Sequence, residues 1–503
     1  MSKVIFCLLM ILQIAISTLA QQKPYTEKHR PQFHFSPKAK WMNDPNGMVY
    51  YKGEYHLFYQ YYPDSTVWGP MHWGHAISKN LTHWENMPIA LYPDSIGDIF
   101  SGSIVIDYNN TGGFQQGTEK TLVAIFTQHN MVMEKAGKNN FQTQGIAYST
   151  DKGRNWKKYR LNPVLKNPGI KDFRDPKVSW VEKFKKWIMT LAVGNEIHFY
   201  ASKNLKDWNF SGKFGLTEGS HGGVWECPDL MEMKVDNGKY SKWVLLVSIG
   251  SGATNGGSGT QYFVGDFDGN SFKNDNSKET ILWVDNGCDN YAGVTWSNTN
   301  RHLFLGWMSN WQYAQMVPTK SWRSAMTIPR ELALKETSEG VRLFSTAVKE
   351  MESLRTSSVP VNVQQNKVYP FSLGELMLTV DLNQSNTDDF GIEFKNASEE
   401  KIKVGYIRSS NQFYIDRTRS GDTTFSDKFP AIHYAPRLSK DRQLGMHIFI
   451  DHASVELFAD KGIVAMTDIF FPNKNYNQLQ LYTAAGKVKL ISGKLFELKS
   501  IWR

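Results

Sequence analysis

Three short acidic motifs are the segments of this sequence best suited to chemistry. They read WMNDPNG, FRDP and GGVWECPD, and they contain Asp44, Asp175 and Glu226. Carboxylates serve as nucleophiles, as stabilisers of positive charge, and as general acids or bases. Three of them beside proline, arginine or tryptophan are therefore candidates for a catalytic group.

Each motif suggests a different role. The proline after Asp44 favours an extended backbone at the aspartate, which suits a nucleophile that must stay in place through two steps. Arg174 beside Asp175 favours an ionised carboxylate. The tryptophan and cysteine that flank Glu226 form a setting able to raise its pKa by desolvation, as a general acid requires.

Each motif also has an ordinary structural explanation. Asp-Pro-Asn-Gly is a common turn, Arg-Asp-Pro suits a surface loop with an ion pair, and the glutamate suits a strand edge beside core residues. The three acids lie 131 and 51 residues apart along the chain. Only a fold that brings distant segments together would make them one site.

A repeated turn indicates what that fold is. Segments with strand-like alternation lead into a polar turn and then an aromatic residue, at Trp84, Trp156, Trp208 and, more weakly, Phe272. Spacings of 52 to 72 residues suit the four-stranded blades of a β-propeller, whose equivalent loops converge on one axis. Acids from separate blades would then meet in a funnel, and two carboxylates flanking a glycosidic bond are the minimum for retaining hydrolysis.

The sequence changes character after the repeats, near residue 335. Residues 336–367 are predicted to be a linker region, and 368–503 read as short alternating strands of a second β-domain, a sandwich. Within it, the segment 451–458 carries acids and a histidine. Its alternation nevertheless favours a structural strand over a catalytic one.

Composition excludes several classes of protein. With 41% hydrophobic and 21% charged residues in 503, the chain is neither disordered nor fibrous. The net charge of +9 is scattered, which indicates a solvated surface and no nucleic-acid partner. Residues 1–20 have a basic start, an apolar stretch and small residues, so we expect a signal peptide cleaved after Ala20 and a secreted or periplasmic protein without a membrane span.

The cysteines and histidines predict neither a disulfide scaffold nor a metal site. Cys227 and Cys288 could form one bridge, but two separate thiols are the expectation. His72, His75 and His221 are too dispersed for metal-ligand spacing, so hydrogen bonding or packing is expected of them.

Taken together, these motifs resemble glycoside hydrolase family 32, whose members cleave β-fructofuranosyl bonds in sucrose, inulin and levan. Further matching segments are WGPMHW, DIFSGS and NWQYA and, in the second domain, IDRTRSG and SVELF. The resemblance implies an all-β chain with a five-bladed β-propeller catalytic domain at 28–335 followed by a C-terminal β-sandwich. The turn repeat alone accounts for four blades, so the fifth comes from the resemblance.

The resemblance also implies roles for individual residues. Asp44 matches the nucleophile, Glu226 the acid/base, and Asp175 the acid that holds fructose hydroxyls and stabilises the transition state. The matching substrate-binding positions are Asn43, Gln60, Trp68, Phe100, Ser101, Arg174, Tyr291 and Trp311. No metal or other cofactor is implied.

The expected activity is release of terminal fructose from fructan, and from sucrose as a further substrate. An invertase specialised for sucrose, an endo-levanase and a transferase are alternatives within the same chemistry. A sugar-binding propeller without activity is the alternative from another class, and it would be expected to lack one of the three acids. Linkage preference and oligomeric state are left open by the sequence.

Overall fold

The fold is built almost entirely from β-strands. The computed structural model describes residues 25–362 and 367–502, so the predicted signal peptide at 1–20 lies outside the described residues. Helix in the described ranges is limited to α1 (Met131–Lys135) and the 3-10 turns Glu182–Phe184, Lys349–Leu354 and Asp460–Gly462. None of these helices is long and apolar enough to cross a membrane.

The amino-terminal part consists of four-stranded antiparallel units that add their strands in chain order. The first unit contains β1 (Lys40–Tyr51), β2 (Glu54–Tyr62), β3 (His72–Ser78) and β4 (Trp84–Leu91). The second contains β5 (Asp98–Asp107), β6 (Thr121–His129), β7 (Gln142–Ser149) and β8 (Lys157–Lys158). The third contains β9 (Phe173–Val181), β10 (Lys186–Val193), β11 (Glu196–Ser202) and β12 (Asn209–Phe214).

Two further units follow and share one continuous sheet. The fourth contains β13 (Trp225–Val235), β14 (Tyr240–Ile249), β15 (Gly259–Phe267) and β16 (Phe272–Asn274), with β17 (Leu282–Trp283) paired to β15. The fifth contains β18 (Tyr291–Thr295), β19 (Leu303–Met308), β22 (Arg330–Thr337) and β23 (Gly340–Ala347). Two short strands accompany it, β20 (Trp322–Arg323) beside β1 and β21 (Ala325–Met326) beside β19.

The first strands of the units form a closed ring. β1 contacts β5, β5 contacts β9, β9 contacts β13, β13 contacts β18, and β18 contacts β1 again. Each of these strands is thus the innermost strand of its unit, and the ring has five members. This radial arrangement is a β-propeller, as the sequence predicted.

The repeated turns occupy equivalent places in four units. Trp84 and Phe272 begin the outermost strands β4 and β16, and Trp156 and Trp208 immediately precede β8 and β12. The indoles of Trp156 and Trp208 donate hydrogen bonds back to carbonyl oxygens three residues earlier, so each closes its own turn. The fifth unit carries no such marker because β22 and β23 are joined by a turn of only two residues.

The carboxyl-terminal part is a sandwich of two six-stranded sheets. In spatial order, one sheet contains β24 (Arg355–Pro360), β35 (Leu490–Leu498), β26 (Gly374–Asp381), β31 (Gln443–Ile450), β32 (Ser454–Ala459) and β33 (Val464–Ile469). The other contains β25 (Val368–Pro370), β34 (Gln478–Thr483), β27 (Asp389–Lys395), β28 (Lys401–Ile407), β29 (Gln412–Arg419) and β30 (Ile432–Pro436). Apolar side chains of both sheets pack into one core between them.

The predicted linker at 336–367 contains regular structure. The boundary at 335 falls inside β22, and β23 still belongs to the propeller. β24 in turn pairs with β35 of the sandwich. The sequence pattern missed both strands because the turn repeat ends before them, and β24 is in addition mostly polar.

Buried ion pairs join the propeller to the sandwich. Arg330 of the propeller donates 2.8 Å to Asp285 and also contacts Glu456 and Thr467 of the sandwich. His34 lies between Asp451 and Glu456, and these two carboxylates raise its pKa to about 9. The segment 451–458 is therefore structural, as predicted, and its acids hold the two domains together.

Loss of the Arg330 guanidinium should destabilise the whole protein. Arg330→Met leaves the buried Asp285 carboxylate without its cation and leaves Glu456 with His34 alone, which costs about 3–5 kcal/mol. We expect a large fall in melting temperature by calorimetry. The matched control Lys239→Met removes an exposed pair with Asp236 and should leave the melting temperature unchanged. Equal melting temperatures for the two variants would contradict this role.

Candidate active site

Each of the five innermost strands carries a β-bulge near its amino-terminal end. At every bulge two residues of the inner strand face one residue of the second strand. The paired residues are Asn43-Asp44 in β1, Phe100-Ser101 in β5, Asp175-Pro176 in β9, Cys227-Pro228 in β13 and Ala292-Gly293 in β18. Bulges re-aim side chains out of the regular alternation, and here they place polar groups around the propeller axis.

The sequence carries local signals for two of these bulges. Asp175 and Cys227 have φ values of 64° and 45°, and each is followed by a proline. Proline has no N–H to lose at a position where the strand ladder is already interrupted. The Asp175 N–H, displaced from the ladder, donates 2.9 Å to Thr127 of the neighbouring unit. The Asp-Pro and Cys-Pro pairs therefore mark sites where the chain turns towards the axis.

A cavity of about 280 Å³ opens at this end of the axis. It brings together all of the site residues expected from the sequence except Tyr291: Asn43, Asp44, Gln60, Trp68, Phe100, Ser101, Arg174, Asp175, Glu226 and Trp311. Five other residues also line it: His129, Glu134, Gln142, Asp172 and Gln315.

Asp44 is held by a donor on each carboxylate oxygen. Ser101 Oγ donates 2.9 Å to Oδ2, and Asn43 Nδ2 donates 3.1 Å to Oδ1. The Asn43 amide is oriented by the Trp41 indole, which donates 2.7 Å to its oxygen. Burial, and next the nearby charge of Glu226, raise the pKa of Asp44 to about 6, while the two donors favour the ionised form.

Asp175 lies beside Cys227 on the floor of the cavity. Its Oδ2 accepts 3.1 Å from the Cys227 backbone N–H, and the Cys227 thiol is 3.6 Å from both Asp175 Oδ2 and Asp44 Oδ2. Burial raises the pKa of Asp175 to about 7. Arg174 acts in the expected direction, because its guanidinium, with Nε 4.0 Å from Asp175 Oδ2, lowers this pKa, but desolvation is the larger effect.

Arg174 lies closer to two other carboxylates than to Asp175. Its Nη2 and Nε donate 2.8 and 3.1 Å to Glu226 Oε1, and its Nη1 donates 2.5 Å to Asp172. Neighbours in sequence point differently on a strand, so the ion pair read from the FRDP motif forms with acids outside it.

Tyr291 does not line the cavity. It is 1% exposed, and its hydroxyl contacts Glu226 Oε2. Glu226 is thus held between Arg174 and Tyr291. The indole N–H of its sequence neighbour Trp225 donates a hydrogen bond to the Ser220 carbonyl oxygen. The expected sugar contact by Tyr291 is replaced by a contact to the acid itself.

Aromatic rings form one side of the cavity. Trp68 meets Phe100 edge to face at 6.1 Å, and Phe100 stacks on His129 at 4.1 Å. Trp311 stacks on Trp41 at 5.9 Å. Gln60, opposite the first bulge, is buried and its amide nitrogen has no partner among the described residues, so a donor is available to a ligand.

The newly found lining residues had weak sequence signals or none. Asp172 lies two residues before Arg174 and could have been found by proximity to that motif. His129 ends β6, Gln142 begins β7 and Glu134 lies in the connection between them, whereas Gln315 lies in the connection after β19. Loop residues carry no periodicity, so only the folded geometry shows that they reach the axis.

His72, His75 and His221 make hydrogen-bonding or packing contacts, and the two cysteines are not bonded to each other. His72 lies 3.1 Å from the Pro70 carbonyl, His75 stacks on Phe58, and His221 stacks on Trp225. Cys227 and Cys288 are buried free thiols. Residues 25–362 and 367–502 contain no cluster of histidine, cysteine and acid side chains that could hold a metal ion.

The cavity holds carboxylates in two different settings. One carboxylate is fixed by neutral donors and another is held by an arginine and a tyrosine, on different strands around one space. Hydrolysis of a glycosidic bond requires two such carboxylates.

Comparison with known proteins identifies the family. Residues 34–346 match the glycosyl hydrolases family 32 N-terminal domain, and residues 337–497 match the glycosyl hydrolases family 32 C-terminal domain. The chain therefore belongs to glycoside hydrolase family 32 and is a glycosidase.

Individual relatives resemble the chain over nearly its whole length. It is 50% identical to a levanase of Bacillus subtilis, over 99% of this chain and 74% of that protein. It is 36% identical to an extracellular exo-inulinase of Aspergillus awamori, over 95% of this chain and 96% of the relative. The crystal structure of that organism's exo-inulinase superposes with a TM-score of 0.89 at 35% identity, covering 95% of this chain and 100% of the other. The predicted fold class, a propeller followed by a sandwich, is confirmed.

Removing the Asp44 charge should stabilise the fold near neutral pH. A carboxyl whose pKa is raised on folding costs stability as the pH rises through that value, here about 6. Asp44→Asn should therefore melt several degrees above the wild type at pH 8, with the gain shrinking as the pH falls towards 4. Scanning calorimetry across this range tests it.

The exposed Asp427 provides the matched control. Asp427→Asn should give no gain in melting temperature that depends on pH. If Asp44→Asn gains the same amount at pH 4 and pH 8, the charge of Asp44 is not the cause.

Proposed function

We propose that this protein is an exo-acting, retaining β-fructofuranosidase that releases terminal fructose from levan and inulin and also cleaves sucrose. The observation that carries the proposal is the meeting of Asp44, Asp175 and Glu226, from three separate inner strands, in one cavity. The levanase and exo-inulinase relatives support fructan as the substrate class.

Asp44 is the nucleophile in this proposal. The ionised carboxylate attacks the anomeric C2 of the terminal fructose, and the bond from C2 to the departing oxygen breaks. Ser101 and Asn43 keep the carboxylate in one orientation, which lowers the entropic cost of attack. Because its pKa is raised to about 6, activity should fall as Asp44 is protonated on the acid side.

Glu226 is the general acid and then the general base. Arg174 occupies Oε1, so the transferable proton belongs on Oε2, the oxygen that Tyr291 contacts. That proton passes to the departing oxygen in the first step. In the second step Glu226 takes a proton from water, the water oxygen bonds to C2, and the bond from C2 to Asp44 breaks with net retention.

Asp175 and the aromatic wall hold the fructose ring. Asp175 faces the same space as the nucleophile and can accept hydrogen bonds from sugar hydroxyls. The interaction of this carboxylate with the sugar strengthens as positive charge develops at C2. We assign sugar contacts to Asn43, Gln60, Trp68, Phe100, Ser101, Arg174 and Trp311. Tyr291 receives a different role, as a positioning residue for Glu226.

We also propose export of the protein, with the mature chain beginning at Gln21. The basic start, apolar stretch and small residues of 1–20 support it, and the Aspergillus awamori relative is named as extracellular. Amino-terminal sequencing of secreted protein would show Gln21, whereas an intact Met1 would contradict export.

Product analysis separates the proposed activity from its alternatives. The purified protein should release fructose alone from levan and inulin at early times and should also hydrolyse sucrose, as resolved by chromatography by chain length. Glu226→Ala is the control for contaminating activity and should lose nearly all release.

Other product patterns would indicate a different activity and would contradict the proposal. Oligosaccharides from levan would indicate an endo-levanase, longer oligomers made from sucrose would indicate a transferase, and activity on sucrose alone would indicate an invertase. Binding without any turnover would indicate a sugar-binding propeller.

A further inference from the structure

Glu134 lines the cavity, but the proposed mechanism assigns it no role. It lies on α1, in the connection between β6 and β7, and lines the same cavity as the three acids. Its side chain is 41% exposed, whereas that of Asp175 on the floor is 6% exposed. Glu134 is therefore at the open, outer part of the cavity.

A directed chain of hydrogen bonds positions Glu134. The Phe173 backbone N–H donates 2.7 Å to Gln142 Oε1, so the Gln142 amide nitrogen must face the other way. That nitrogen donates to His129 Nδ1 at 3.1 Å, which leaves the ring proton on Nε2. His129 Nε2–H then donates to Glu134 Oε2 at 3.0 Å.

This chain connects the rim to the catalytic strand β9. Phe173 directly precedes Arg174, so the backbone that carries the arginine also holds Gln142, at the start of this chain of hydrogen bonds. Hydrogen bonds in series polarise one another, which favours one orientation of the whole chain. Glu134 Oε2 is thereby held, while Oε1 makes no hydrogen bond with the described residues.

The carboxylate of Glu134 is not neutralised by a cation. Burial lowers the pKa of His129, so the imidazole is a neutral donor at pH 7. In the described ranges no lysine or arginine forms an ion pair with Glu134. Asp172, the other rim acid, differs because Arg174 pairs with it.

The position of Glu134 relative to the cleaved bond follows from the aromatic stack. Ser101 donates to Asp44, its neighbour Phe100 stacks on His129, and His129 holds Glu134. These contacts therefore connect Asp44, on the floor of the cavity, to Glu134, at its open end, along one wall. A fructose over Asp44 would direct its leaving group towards the open end, where Glu134 lies.

We propose that Glu134 binds the hydroxyls of the sugar on the leaving-group side of the cleaved bond, with His129 as its positioning residue. An ionised carboxylate with a free oxygen accepts strong hydrogen bonds from hydroxyl groups. The inference rests on the proposed function, and it assigns the residue that distinguishes a sugar leaving group from one without hydroxyls.

The test compares leaving groups in the Glu134→Gln variant of the full-length protein. The substrates are the β-2,6- and β-2,1-linked difructoses and an aryl fructoside, whose leaving group offers no sugar hydroxyls. We expect kcat/KM to fall about tenfold on at least one difructose, because a charge-assisted hydrogen bond is lost. On the aryl fructoside kcat/KM should stay within twofold of wild type.

Two further variants make the result specific. His129→Phe keeps the stack on Phe100 but removes the N–H, so it should show a smaller loss confined to the same substrate. Lys135→Ala changes the exposed neighbour on α1 and should behave as wild type on all three substrates. Melting temperatures within a few degrees of wild type confirm that each variant is folded.

Two outcomes would overturn the inference. One is a Glu134→Gln variant within twofold of wild type on both difructoses, and the other is an equal loss on difructoses and aryl fructoside. Failure of the wild type to cleave any of these substrates would instead refute the proposed function, so the two failures are distinguishable.

Discussion

Five carboxylates line one small cavity, and the charges of three of them, Asp44, Asp175 and Glu226, repel each other. The rest of the structure depends on the contacts that offset this repulsion. Arg174 supplies the one guanidinium, and it serves Glu226 and Asp172 at hydrogen-bond distance. Asp44 depends on neutral donors, and Asp175 depends on a backbone N–H and on the more distant Arg174, while burial raises the pKa of both. The cluster is costly to the folded state, as is common where function requires buried charge.

The geometry of the propeller brings these acids together. A ring of five inner strands, each bulged near its start, aims side chains from different units at one axis without a long flexible loop. Buried ion pairs around Arg330 attach the sandwich to the fifth unit and to the segment before β18. Rigid strands thus hold the acids, while connections such as the one carrying Glu134 shape the opening.

Sequence reasoning identified the structural features that repeat along the chain or that have a local chemical signature. The repeated turns before Trp84, Trp156 and Trp208 revealed the propeller, and the indoles of Trp156 and Trp208 close their own turns. The fifth unit escaped because its last hairpin has no such turn. The contact of Arg174 with Glu226 and the orientation of Tyr291 depend on contacts between units, so the sequence does not predict them. Glu134 lies in a connection without a motif, and His129 ends the strand β6.

The central claim is that Asp44 forms a covalent bond to fructose, and trapping tests it most directly. Glu226→Ala removes the base that activates water, so an intermediate formed from an activated aryl fructoside should accumulate. After an acid quench and proteolysis, mass spectrometry should find a fructosyl ester on the peptide that contains Asp44, located to that residue by fragmentation. A burst of released aryl alcohol with the adduct on Asp175, or with no adduct on the protein, would contradict the account.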